Sequence, residues 1–222
     1  MGYCGELLNI PDRPSHRLSR LRAWFSQADP PRSADLIFVL AGRVRRKEYA
    51  LELFRQGLAP RLLFSVGRFE IRRFSKMSLP STLDLLKVAQ EVPPPQRHYF
   101  VSVDGQETHV EHVLPGRFGT LTEIAALGRW LDANPAIRSV LVISSAGHLR
   151  RVRMCCRSML NAEMKLAYLA APVNLSEPSV PETVDVSEGQ NLLGERVDPP
   201  SLWEDLQELF KVTVYWVLLK FR

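Results

Sequence analysis

Leu36-Ile37-Phe38-Val39-Leu40-Ala41-Gly42 is the stretch that decides the fold. Five consecutive apolar residues are too few for a helix and show no alternation, so they read as a strand covered on both faces, as in a parallel sheet flanked by helices. Outward from it, Tyr49, Ala50, Leu53 and Phe54 recur at helical spacing between Arg46 and Gln56, and Gly57 follows as a C-terminal cap. Arg61 to Val66 is a second apolar strand that stops at Gly67. Together these segments make one β-α-β unit.

The pattern recurs along the chain. Ser81 to Ala89 reads as a helix capped by Ser81, and Arg97 to Val103 and Thr108 to Leu114 read as extended segments around an Asp104-Gly105 turn. Leu121, Ile124, Ala125, Leu127, Gly128 and Leu131 form one helical stripe, stopped by Asn134-Pro135. Val140 to Ile143 is a strand, a helix runs from about Gly147 to Leu160, and a last strand lies near Leu166 to Ala170. The expected fold class is α/β: a mostly parallel, doubly wound sheet with helices on both faces. Residues 1–33 read as a helical lead-in, 34–171 as the α/β domain, and 172–222 as a long loop followed by a C-terminal helix on the same domain.

The charges are informative once sorted. Lys and Arg number 29 against 24 Asp and Glu, giving +5, and 23 of the 29 are Arg, whose planar fork suits phosphate and carboxylate. With 45% hydrophobic residues the chain can bury a core, which excludes disordered and collagen-like classes. Cys4, Cys155 and Cys156 form neither a CxxC pair nor a disulfide framework. Met1 to Asn9 lacks the pattern of a signal peptide, and no segment reaches the length of a transmembrane span, so a cytoplasmic protein is expected.

Ligands of open α/β sheets sit beyond the carboxyl ends of the strands. There this chain places Gly42, Arg43, Arg45 and Arg46, then Gly67, Arg68, Arg72 and Arg73, and then Ser144-Ser145-Ala146-Gly147-His148-Leu149-Arg150-Arg151. Three basic strand ends on one edge, beside helix N-termini, predict an anion-binding crevice. His148 and Arg151 are three residues apart, one turn along the same helix face, with Ser144 and Ser145 as hydroxyl donors. Thr120-x-x-Glu123 reads as a capping box, with Gly119 before it. His109 and Glu111 share one face of their strand and His112 points to the other, so they do not converge on a metal, and Cys155 and Cys156 read as packed thiols. No Gly-x-Gly-x-x-Gly follows a strand and no P-loop or nucleophile-elbow motif occurs. The arginines concentrate at strand ends without interleaved aromatic platforms, which argues against a nucleic-acid partner. The C-terminal stretch from Trp203 to Arg222 reads as a buried terminal helix, with a monotopic membrane contact or a dimer surface as the alternative.

Residues 34–42, the Arg46-x-x-x-Ala50-x-x-Leu53-Phe54-x-x-Gly57 helix, the strand ending at Gly67, Thr120-x-x-Glu123 and Ser144-x-x-x-His148-x-x-Arg151 together resemble the bacterial YdcF/SanA/ElyC family, a domain of unknown function numbered 218. The likeness spans roughly residues 34–171; it departs where Arg43 follows Gly42 and where Val66 stands at a glycine position. The resemblance implies a Rossmann-like fold, S-adenosylmethionine as the one cofactor on offer, and a link to the cell envelope. It also carries over Gly42, Arg46, Gly67, Thr120, Glu123, His148 and Arg151 as the ligand-site set. The resulting expectation is a binder of an anionic small molecule, whether a nucleotide, an S-adenosylmethionine-like compound or a phosphorylated envelope precursor. Arg46 and Arg151 hold the anion, Gly42 and Gly67 admit it closely, Thr120 and Ser144 line it, and His148 and Glu123 are the catalytic candidates should a phosphate-bearing substrate be hydrolysed or transferred. The alternative is a non-catalytic envelope factor at the inner membrane surface, peripheral through its C-terminal helix.

Overall fold

A computed structural model describes residues 28–79, 84–114, 116, 119–172 and 202–220. The expected lead-in before residue 28, the Ser81 cap and most of the 172–200 loop lie outside these residues. Six strands form one sheet: β1 (Leu36–Val39), β2 (Arg61–Gly67), β3 (His98–Asp104), β4 (Glu107–His112), β5 (Ser139–Ser145) and β6 (Lys165–Ala171). The helices are α1 (Val44–Arg55), α2 (Ile71–Phe74), α3 (Leu85–Gln90), α4 (Gly119–Asp132), α5 (Leu149–Met159) and α6 (Leu202–Lys220).

The strand order is β4-β3-β2-β1-β5-β6. β2, β1, β5 and β6 run parallel, as the β-α-β pattern requires, whereas β2–β3 and β3–β4 are antiparallel. A two-residue turn at Gly105 and Gln106, with Gly105 at φ +58°, is too short for a parallel crossover and makes β3 and β4 a hairpin. In α3 the N-cap is Asp84, whose carboxylate accepts the Lys87 N–H.

β1 is wholly buried because both faces are covered. Ile37 and Val39 pack with Leu62, Phe64 and Ile143 beneath Ala50, Leu53, Ile71, Phe74 and Leu85 of α1, α2 and α3. Leu36 and Phe38 pack with Val140 and Val142 against Ile124, Leu127, Leu149 and Val152 of α4 and α5. The thiols of Cys155 and Cys156 lie in this second layer, and burial pushes both up to about 12.

The C-terminal helix corrects its reading as a buried element. α6 docks by Val212 and Tyr215, and Leu219 packs against the same core. Phe210 and Trp216 remain 70% and 54% exposed beside exposed Leu209 and Val217. At the far edge Asp29 takes the place of a strand: its N–H donates to the Tyr168 carbonyl at 2.7 Å, and its carboxylate accepts the Tyr168 N–H at 2.9 Å and pairs with Arg153 at 3.1 Å.

The entry of β1 is stapled to the entry of β5. Asp35 Oδ2 accepts the Arg138 N–H, the Ser139 N–H and the Ser139 hydroxyl at 2.8–2.9 Å. These donors hold the Asp35 carboxyl below its ordinary value of 3.8. A carboxyl whose pKa is depressed by folding contributes stability above the unfolded value, and that contribution is lost as pH falls through the folded value. Asp35→Ala should cost about 1–3 kcal/mol at neutral pH in urea unfolding. The gap from the wild type should close below pH 3.8.

Candidate functional site

The parallel strands place their carboxyl ends on one edge, and β1 lies between β2 and β5. α1, which leads from β1 to β2, covers one face, and α5, which leads from β5 to β6, covers the other. The winding therefore reverses between β1 and β5, the position at which open α/β sheets leave a crevice. Among the described residues the buried polar and charged side chains are Arg46 and Lys47 from α1, Ser65 and Glu70 from the end of β2 and the turn after it, Thr120 and Glu123 from α4, Ser144 from β5 and Arg151 from α5. All eight sit at this edge, while the other end of the parallel sheet is apolar inside.

Two carboxylates hold the backbone beyond β1. Glu123 Oε2 accepts the Ala41 N–H at 2.8 Å, and Glu70 Oε1 accepts the Gly42 N–H at 2.6 Å. Gly42 is at φ +138°, which favours glycine, and a Cβ there would stand 2.7 Å from Arg46 Nη1 and displace the guanidinium. The Arg46 guanidinium lies over this turn: Nη1 donates to the Ala41 carbonyl at 2.8 Å, Nε to Ser145 Oγ at 2.9 Å, and Nη2 stands 3.5 Å from His148 Nδ1. Lys47, fully buried, pairs with Glu70 Oε2.

Burial sets the electrostatics. It lowers the pKa of Arg46 and of Lys47, and the charges of Glu123 and Glu70 work against that loss. Burial raises Glu123, against the Ala41 N–H, a Ser65 hydrogen bond and the charges of Lys47 and Arg46. Ser65 Oγ also shares a 2.7 Å hydrogen bond with His98 Nε2, and burial keeps His98 below the usual imidazole value. Three buried cations thus face two carboxylates, so the edge keeps a positive excess even with both carboxylates ionised.

The structure brings together Gly42, Arg46, Thr120, Glu123, Ser144, His148 and Arg151, with Gly67 at the end of β2 beside Glu70. The capping-box reading is overturned: α4 starts at Gly119, Thr120 lies inside its first turn, and Glu123 reaches across to Ala41. His148 belongs to a short 3-10 turn, Ala146–His148, ahead of α5. The Arg151 guanidinium lies 5.5 Å from the Tyr215 ring of α6, and Tyr215 hydrogen-bonds with Thr120, so α6 closes one side of the edge. Ser144 Oγ is fully buried with no hydrogen-bond partner. Arg43, Arg68, Arg72 and Arg73 are exposed around the rim.

Lys47, Ser65, Glu70 and His98 are absent from the sequence-based set. Glu70 carried a usable signal, being the one acidic residue between Glu52 and Asp84 and standing among arginines directly after a strand. A cavity of about 310 Å³ lies at the opposite end of the sheet, lined by Arg61, Asp104, Glu107, His109, Glu111 and Trp130. His112 is turned to the other face, against Tyr99 and with Nε2 2.9 Å from the Gln96 carbonyl. The fold and the edge together define an α/β protein with a buried ionic centre at its switch point. No family model, curated protein or solved structure matches the chain.

Removing Lys47 leaves Glu70 buried without its cation, so Lys47→Met should destabilise the protein by about 3–5 kcal/mol. Adding Glu70→Gln, which removes the charge and keeps an acceptor for the Gly42 N–H, should recover much of that loss in a urea double-mutant cycle. A double variant as unstable as Lys47→Met alone would refute the pairing.

Proposed function

We propose that this chain is a YdcF-like protein that binds a phosphate-bearing small molecule at the carboxyl edge of its sheet. The observation that carries the reading is the buried ionic centre: polar burial is costly, and among the described residues the buried charged, serine and threonine side chains are gathered at this one edge. The excess of Arg46, Lys47 and Arg151 over Glu70 and Glu123 favours an anion. A phosphate, nucleotide or phosphorylated precursor meets that excess. S-adenosylmethionine fits less well, because its sulfonium would meet three cations. The unpartnered Ser144 hydroxyl and His148 beside Arg46 supply donors for phosphate oxygens, and His148 is the proton donor if the phosphoryl group is transferred.

A second reading has its own observation. Leu209, Phe210, Trp216 and Val217 form an exposed apolar stripe on α6, with Lys211 and Lys220 in the same helix and Lys220 Nζ 5.1 Å from the Trp216 ring. Aromatic residues next to lysines suit the headgroup region of an anionic membrane, which supports a peripheral contact through α6. No described helix is long and apolar enough to cross a bilayer.

A thermal-shift screen with inorganic phosphate, nucleotides, sugar phosphates, polyprenyl phosphates and S-adenosylmethionine tests the first reading. A bound anion at a hundred times its Kd should add about 2.7 kcal/mol of apparent stability. Arg46→Gln and Arg151→Gln should abolish the shift while Arg72→Gln leaves it in place; a midpoint that no anion moves rejects the site. For the second, Phe210→Asp with Trp216→Asp should release the protein from sedimenting anionic vesicles, and unchanged sedimentation would reject the contact.

A further inference from the structure

Glu123 is buried, with 6% of its surface exposed, and it is not isolated. One oxygen accepts the Ala41 N–H, and the carboxylate also bonds Ser65, whose Oγ is 2.7 Å from His98 Nε2. A line of exchangeable protons therefore runs from inside the ionic centre, through a hydroxyl with no exposure, to a histidine that is only partly buried. Such a line has no role in merely capping a strand end, since the Ala41 bond needs neither Ser65 nor His98.

The charges around it give the line a use. Arg46 and Lys47 of α1 face Glu123; Glu70, Arg43 and Arg151 act on Arg46 in turn; and His98 faces Glu70, Lys47 and His112. With both carboxylates ionised, the buried set of three cations keeps one positive charge in excess; with a proton on Glu123 it keeps two. An incoming anion also raises the cost of a second carboxylate charge nearby, so anion and proton assist each other.

We propose that the edge binds a dianionic oxyanion, such as a phosphate monoester, together with one proton, that Glu123 holds the proton, and that Ser65 and His98 form the path by which it arrives. His98 takes a proton from water at Nδ1 and gives the Nε2 proton to Ser65 Oγ, while Ser65 passes its own proton to the Glu123 carboxylate. His98 and Ser65 end neutral, and the hydrogen bonds along the line are reversed. The upward pull of burial on Glu123 agrees with this assignment. The inference rests on the anion-binding reading above and adds the ligand's charge and its pH dependence.

Inorganic sulfate is the probe, because it stays a dianion across the working pH range and contributes no titration of its own. Calorimetry of sulfate binding to the full chain, in buffers of different ionisation enthalpy, reads the protons taken up. The wild type should take up a proton on binding, with sulfate Kd weakening by up to about tenfold per pH unit above the Glu123 titration. Glu123→Gln should bind sulfate without that uptake and with a flattened pH profile. Ser65→Ala removes a bond that favours the ionised carboxyl, so the loss of affinity should move to higher pH. Sulfate binding in which Glu123→Gln keeps the full uptake assigns the proton to another group, His148 foremost, and overturns the inference while leaving the anion site standing. An unshifted Ser65→Ala profile likewise overturns it, whether or not Glu123→Gln folds. Absence of sulfate binding at every pH rejects the anion site itself.

Discussion

Just beyond β1, the amides of Ala41 and Gly42 each donate to a carboxylate from a different part of the chain, Ala41 to Glu123 and Gly42 to Glu70. Buried backbone donors must be satisfied, and here the acceptors are charges that themselves need cations. Glu70 recruits Lys47, and Glu123 lies in the field of Lys47 and Arg46. Arg46 then ties back to the Ala41 carbonyl and to Ser145, which joins the ends of β1 and β5. The ionic centre is thus the means by which the central strand stops at a fixed place, as well as the feature that suits the edge to a ligand.

Much of the fold was legible because β1, β2 and β5 are buried on both sides and therefore read as apolar runs, broken in β2 only by Ser65. The hairpin was legible as two extended segments around a Gly105 turn, but its antiparallel course belongs to turn length more than to residue type. The site was legible where residues stand directly after strands, as with Gly42, Arg46, Ser144 and His148. It was hidden where a polar residue pairs across the fold. Lys47 sits next to Arg46 on an arginine-rich helix start and looks solvated; its partner is 23 positions away. His98 opens a strand and shows nothing in sequence of the hydroxyl 33 positions earlier that it meets. Glu123 shows the opposite difficulty: Thr-x-x-Glu has a complete local explanation, and only the N–H at position 41 displaces it.

α6 links the two functional readings. Its Tyr215 rests beside Arg151 and Thr120, while Phe210 and Trp216 of the same helix face outward. One helix thus presents an aromatic ring to the edge on its inner side and an apolar stripe to the outside on the other.

The two rims of the sheet are defended differently. β4 is an outer strand with Glu107 and Glu111 at exposed positions, a charge pattern that discourages another strand from adding there. β6 carries a charge only at its first residue, Lys165, and is apolar from Leu166 to Ala171, where Asp29 occupies both backbone groups of Tyr168 and is held by Arg153. One aspartate ahead of β1 thereby occupies, at Tyr168, the backbone groups on which a strand from another molecule would otherwise stack.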